Sequence, residues 1–334
     1  MRAYKIFYIF LVWIFSFNCS FSQEIDLIKI DNYKNNFIEH MVENYNFKKD
    51  ELDIIFNDVE ILHGVLDSIS NPAERVIPWY EYKDIFLTDR RIELGVDFWL
   101  ENYEIISSVS QSYDIPPEII VSILGIETYY GRYTGEYSVL DSLFTLAFAY
   151  PPRSQFFLNE LESFLLLTRE EEIDPFLVRG SYAGAMGNSQ FISSSYRAYA
   201  VDGDGDGKRD LWNSLPDIIS SICNYFSVHG WQKNGPIFEK AYFSNDNNVS
   251  VESNSLVLED TIESLHAEGY VFSSDLPVDS PVTPVILSGD EGIEYWIGFR
   301  NFYVITRYNR SEKYAMATYQ LAEAIKTQFE FTNK

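Results

Sequence analysis

The sequence predicts an α+β fold, mainly α, on three observations. Apolar residues recur at intervals of three and four through much of the chain, the period of a helix with one buried face. Past Ile237 the pattern changes to alternating and β-branched runs separated by Gly and Asp, as in short strands. No repeat and no long linker interrupts the 334 residues, of which 46% are hydrophobic and 16% aromatic, ample for a large core. A helical core over about 90–235 and a small β section over about 240–310 are therefore expected within one unit, residues 23–334.

Residues 1–22 read as a secretory signal peptide. Arg2 and Lys5 precede an apolar run from Ile6 to Phe17, small residues follow at Ser20 and Ser22, and polarity returns at Gln23. Cleavage after Ser22 is expected, and export to the periplasm with it. The alternative is a lipoprotein signal with Cys19 acylated as a lipid anchor, although Asn18 stands where a small residue is usual. The apolar run is shorter than the ~20 residues of a membrane span.

From Phe37 to Leu66 the helical period, broken near Asn46 and Phe47, predicts two short helices. Asn71-Pro72 breaks the pattern, the aromatic patch Trp79-Tyr80-Glu81-Tyr82 follows, and a third helix is expected from about Arg90 to Gln111. Asp114-Ile115-Pro116-Pro117 starts another, Asp suiting the cap region and Pro the first turn, where its missing N–H costs nothing. A helix is expected over Ser154–Arg169, a tight Gly-rich loop over Gly180–Gly187, and a helix capped by Ser193, Ser194 or Ser195. Strands are expected at Ser255–Leu258, Val282–Leu287, Tyr295–Phe299 and Phe302–Ile305, with a closing helix over Ala315–Phe329.

The formal charge is −25, from 50 acidic and 25 basic residues. No basic face is expected, which argues against nonspecific nucleic-acid binding and against a polybasic membrane patch. With Cys19 removed only Cys223 remains, so the mature chain forms no internal disulfide. The four histidines, His40, His63, His229 and His266, are scattered, which leaves a zinc enzyme or a Ser-His-Asp hydrolase little support.

Glu127 stands out. Leu124, Ile123 and Ile120 precede it by three, four and seven residues and share its helix face. A carboxyl group on an apolar stripe must pair or lose its charge. Burial raises a carboxyl pKa, and such an acid gives a proton to a leaving oxygen, as in glycoside cleavage. The plainer reading is a buried Glu paired with an Arg such as Arg132, or one simply at the helix edge, and helix position alone favours it. Two neighbouring segments add weight to the first. Tyr129 and Tyr130 beside the acid suit stacking on sugar rings. Gly184-Ala185-Met186-Gly187-Asn188-Ser189-Gln190-Phe191 combines close backbone approach with an amide and a ring.

Pro116-Pro117-Glu118-Ile119-Ile120, Gly125-Ile126-Glu127-Thr128, Leu140-Asp141, Gly180–Gly187 and Gln190-Phe191 resemble the membrane-bound lytic transglycosylase B family. So do Asn224-Tyr225-Phe226, His229-Gly230-Trp231 and Phe302–Asn309, and the resemblance runs from about residue 35 to 330. It implies a lysozyme-like helical core with flanking α and small β subdomains. It also implies non-hydrolytic cleavage of the MurNAc-β-1,4-GlcNAc bond of peptidoglycan glycan strands, leaving 1,6-anhydro-MurNAc ends. Glu127 matches the family's single catalytic acid/base. By the same resemblance Ser181 and Gln190 bind substrate near it with Phe191, Tyr82, Tyr225 and Tyr308 line the groove, and Asn309 lies near the carboxyl group. Arg153 matches one of two adjacent arginines, the other being Pro152 here. Asn188 stands where the family commonly has an aromatic, and Ser193 replaces a proline. A hydrolytic muramidase on the same scaffold and a non-catalytic glycan-binding protein are the alternatives.

Asp202-Gly203-Asp204-Gly205-Asp206-Gly207-Lys208 fits the start of an EF-hand loop for Ca2+, with acids at positions one, three and five, Gly at six and a backbone carbonyl from Lys208 at seven. Position twelve is Asn213, not the usual Glu. In the related enzymes a carboxylate slightly further on closes the loop, which makes Asp217 the candidate beside Asp210 and Asn213. The plain alternatives are a solvated acidic turn, and an Asp217 that merely suits the first turn of the next helix.

Overall fold

The computed structural model describes residues 27–70, 77–244 and 255–332. The signal segment with Cys19 and the Asn71-Pro72 break lie outside them. Three helices, not two, open the described chain: α1 (Leu27–Tyr45), α2 (Lys49–Asn57) and α3 (His63–Ser70). Between α2 and α3 the backbone finds partners on another helix. Glu60 N–H donates to the Asp141 carboxylate at 3.0 Å and Leu62 N–H to the Thr145 hydroxyl at 2.9 Å. A segment so satisfied has no need of its own helical ladder.

The helical core follows as α4 (Trp79–Phe86), α5 (Asp89–Glu101), α6 (Tyr103–Tyr113), α7 (Pro117–Thr128), α8 (Val139–Ala149), α9 (Ser154–Glu170), α10 (Ser193–Tyr199) and α11 (Leu215–Val228). The single helix expected over 90–111 is divided at Asn102, whose side chain and N–H both turn back to the Phe98 carbonyl. Asp114 belongs to the helix before it: it is left-handed (φ 56°) and closes α6, while Pro116 precedes the first turn of α7.

The β section is a five-stranded antiparallel sheet in the order β4-β6-β7-β3-β5, made of β3 (Phe238–Phe243), β4 (Asp260–Thr261), β5 (Tyr270–Val271), β6 (Pro281–Gly289) and β7 (Gly292–Gly298), with α12 (Ile262–Glu268) packed beside it. A small core of its own includes Ala241, Leu265, Val282 and Ile297. Two expected strands are absent. Ser255–Leu258 is a loop, its Leu256 carbonyl taken by Arg307. Phe302–Ile305 lies in a helix, α13 (Arg300–Tyr308). Its β-branched residues suit a strand by propensity, yet Phe302, Val304 and Ile305 join the main core on a helix, where packing overrides propensity.

The last helix, α14 (Glu312–Thr332), returns across the molecule and packs on α7, α5 and α4. One continuous core runs from Ile30 in α1 to Ile325 in α14. Among the described residues no helix is long and apolar enough to cross a membrane.

Candidate active site

Glu127 lies in the last turn of α7. Residues Glu118–Gly125 of that helix are all buried, so the helix is enclosed on every side, and at Ile126 and Glu127 the wall opens to half-burial. The chain then reverses through three left-handed residues, Tyr129 (φ 53°), Tyr130 (φ 61°) and Gly131 (φ 81°). Tyr130 folds back into a slot between α5 and α7, its hydroxyl donating to the Arg91 carbonyl at 2.8 Å. A Cβ on Gly125 would lie 2.7 Å from that hydroxyl, so only glycine admits the ring. Arg132, one partner that a purely structural reading of Glu127 offers, is exposed and sits over the Tyr129 ring at 5.8 Å, while the other such reading, a Glu at the helix edge, matches its place in the last turn.

Tyr314, from the start of α14, donates a 2.5 Å hydrogen bond to Glu127 Oε1. Tyr308, at the end of α13, donates to the Ser189 carbonyl at 2.6 Å. Burial first, and then the charge of Glu127, hold both phenols well above the ordinary tyrosine range. Both phenols therefore stay protonated at neutral pH.

Loop 180–191 is bound to the segment after α7. β1 (Tyr137–Ser138) pairs with β2 (Arg179–Gly180), and Gln190 Nε2 donates to Thr134 O at 3.0 Å and to Gly187 O at 2.9 Å. Gln190 is itself left-handed (φ 50°), a strained setting for a non-glycine residue. Its amide nitrogen is thus engaged, leaving Oε1 to accept. The Ser181 hydroxyl accepts the N–H groups of Ala183 and Ala185, bracing the loop from within.

The other expected site residues take different places. Phe191 is buried, with ring centroids 5.6 Å from both Tyr225 and Tyr308. Tyr225 is 7% exposed, stacks on His229 and donates to Arg307 O. Tyr82, at 2% exposure, packs on Phe86. These three back the site more than they face it. Asn309 follows α13, its carbonyl accepting Ser311 N–H. Arg153 lies apart, exposed over Phe156 and Phe157. Sequence reasoning passed over Tyr314. Its position five residues past Asn309, beside the last matched block, was the available signal.

The acid-rich run folds as a loop before α11. Asp202, Asp204 and Asp217 each bring a carboxylate oxygen within 4.8 Å of the others; Asp206 is outside this group. Asp217, 1% exposed, accepts Gly203 N–H and Asp210 N–H, both at 2.7 Å. Asp210 and Asn213 bond each other and the local backbone. Three converging hard oxygens suit Ca2+.

The family profile described as Transglycosylase SLT domain matches residues 29–323. The chain is 39% identical over 298 residues to the membrane-bound lytic murein transglycosylase B of Escherichia coli K12, covering 86% of this chain and 81% of that one. The structure superposes on the catenated lytic transglycosylase SltB1 of Pseudomonas aeruginosa with a TM-score of 0.85 at 46% identity, over 89% of this chain and 98% of that one. It superposes also on the Escherichia coli lytic transglycosylase Slt35 in complex with calcium, with a TM-score of 0.80 at 38% identity, over 89% and 93%. With the profile covering most of the chain and relatives of 38–46% identity sharing its fold, the chain belongs to the SLT-domain transglycosylases as a lytic murein transglycosylase.

Proposed function

We propose that Glu127 is the single acid/base of this enzyme, acting on the MurNAc-β-1,4-GlcNAc bond. The protonated carboxyl group gives its proton to the glycosidic oxygen, and the bond to the muramyl C1 breaks as that carbon takes on positive charge. The resulting carboxylate takes the proton of the muramyl 6-hydroxyl. The hydroxyl oxygen closes on C1, giving a 1,6-anhydro ring and a free GlcNAc 4-hydroxyl. Protons and bonds balance, Glu127 ends as it began, and no water is consumed. The observation that carries this reading is one half-buried carboxylate clasped by a neutral phenol, with Tyr308 beside it also held neutral.

Ser181, Gln190 and Asn309 would bind the sugars, with Phe191, Tyr82, Tyr225 and Tyr308 shaping the groove wall and Arg153 meeting more distant substrate groups. Digestion of purified peptidoglycan by the mature protein and by Glu127→Gln tests the assignment. Soluble fragments one water lighter than hydrolysis products, absent with the variant, are expected. Hydrated reducing ends would make the enzyme a muramidase, and undiminished cleavage by the variant would remove Glu127 from its role.

Asp202, Asp204 and Asp217 would hold Ca2+ as a structural ion, with Asp206 and the Lys208 carbonyl completing the loop's ligands. Calcium at a hundredfold its dissociation constant is expected to stabilise the fold by about 2.7 kcal/mol, read as a shift in denaturant midpoint. Export through residues 1–22 leaves either a start at Gln23 or an acylated Cys19, which the intact mass of protein recovered from the envelope distinguishes.

A further inference from the structure

Asn188 touches both the catalytic segment and the acidic loop. Its peptide N–H donates to Leu211 O at 2.8 Å and its side-chain amide to Trp212 O at 2.9 Å. One residue thereby holds two successive carbonyls, which fixes the tilt of loop 180–191 as well as its position. Leu211 and Trp212 follow directly on the acid-rich run, and that run's carboxylates shape their turn. Asp210 accepts the N–H groups of Trp212 and Asn213, while Asp217 holds Asp210 itself.

On its other side Asn188 meets the catalytic helix. Its carbonyl shares the hydroxyl proton of Thr128, the neighbour of Glu127, with the Leu124 carbonyl, each at 3.3 Å, and that same hydroxyl oxygen accepts Gly131 N–H at the chain reversal. The adjacent carbonyl, Ser189 O, receives Tyr308. The contact leaves no slack, since a Cβ on Gly187 would lie 2.5 Å from Leu211 O.

We propose that Asn188 is a positioning residue that transmits the order of the acidic loop to Glu127 and Gln190. The transmission of cation binding rests on the reading of Asp202, Asp204 and Asp217 as a calcium site; the positioning itself rests on the hydrogen bonds. A misplacement of about 1 Å costs on the order of a hundredfold in rate, so loosening this one tie acts on turnover.

The test measures kcat, KM and the thermal unfolding midpoint for the wild type and Asn188→Ala, with calcium and after chelation. In the wild type calcium raises both midpoint and kcat. Asn188→Ala deletes only the side-chain bond to Trp212 O and keeps the backbone hydrogen bonds to Leu211 and Thr128; calcium still raises the midpoint, but kcat is about ten- to hundredfold lower and responds less to calcium than in the wild type, with KM within about twofold. A variant kcat within about twofold of wild type, or one raised by calcium by the wild-type factor, overturns the proposal. If calcium moves neither quantity in the wild type, the calcium reading fails and the transmission with it, and the positioning role is decided by Asp210→Ala and the double variant. Losses in kcat that fail to multiply place Asp210 and Asn188 on one path; losses that multiply overturn it.

Discussion

Glu127 must give up a proton and take another within one proposed turnover, so its neighbours must not compete for that proton. Tyr308 and Tyr314 meet the condition because burial and the nearby carboxylate keep both phenols neutral. Tyr314→Phe keeps the ring and deletes the donor to Oε1. A hydrogen bond to a charged group contributes about 1.5–3 kcal/mol, so kcat is expected to fall roughly ten- to hundredfold in a steady-state assay of released muropeptides. An unchanged kcat would show that packing alone orients the acid. Glu127 stood out in the sequence as an acid on an apolar helix face, and it was the neighbouring segments and the resemblance, not that position, that made it the candidate acid. Tyr314 did not stand out, since it is 187 residues away and helical period does not say which aromatic will turn toward a carboxyl group. Tyr82, Phe191 and Tyr225 were read as groove residues from the resemblance, and their burial is a matter of depth that a motif does not encode.

Each element around the site is held by a side chain from another. Glu160 of α9, 4% exposed, accepts Ser194 N–H at 3.0 Å and the Ser194 hydroxyl at 2.6 Å, and so caps α10 just beyond the catalytic loop. Glu160→Ala would strand both donors and is expected to cost about 1–3 kcal/mol in chemical denaturation. Gly125→Ala drives a methyl group against the Tyr130 hydroxyl; overpacking of this kind costs about 1–3 kcal/mol, and calorimetry should show a lower midpoint. The helices over 117–128 and 154–170 were legible because their apolar period is long and unbroken. The break at Asn102, the loop at 58–62 and the helix at 300–308 were not. At Asn102 a side chain that caps its own helix, as Asn can at many positions, made the break; in the other two, contacts distant in sequence decided the local backbone: a carboxylate and a hydroxyl from α8 at 60 and 62, and burial of Phe302, Val304 and Ile305 at 300–308.

At the scale of the molecule, buried phenols set the alkaline limit of stability. Tyr130, Tyr196, Tyr225, Tyr308 and Tyr314 are all raised, chiefly by burial. The native state therefore keeps protons that the unfolded chain releases near pH 10. Their stabilising contribution is whole below that pH and falls as pH rises further, by about 1.4 kcal/mol per unit for each phenol. Denaturation curves should be insensitive to these groups up to about pH 9, and tyrosinate absorbance from them should appear together with unfolding. Tyrosinate signal from all five in a folded protein would contradict the assignment. The fold class was legible at this scale because the change from helical to alternating pattern past Ile237 is a property of long segments, which single contacts do not overturn.

The clasp between Tyr314 and Glu127 also has a meaning in time. A chain made from its N-terminus holds the acid long before it holds the phenol, and α14 packs across α7, α5 and α4 only after almost everything else exists. Bringing the two together means closing 187 residues of intervening chain, and the cost of such closure is entropic. Until α14 is in place, therefore, the Glu127 carboxyl group has been made but lacks the phenol that orients it.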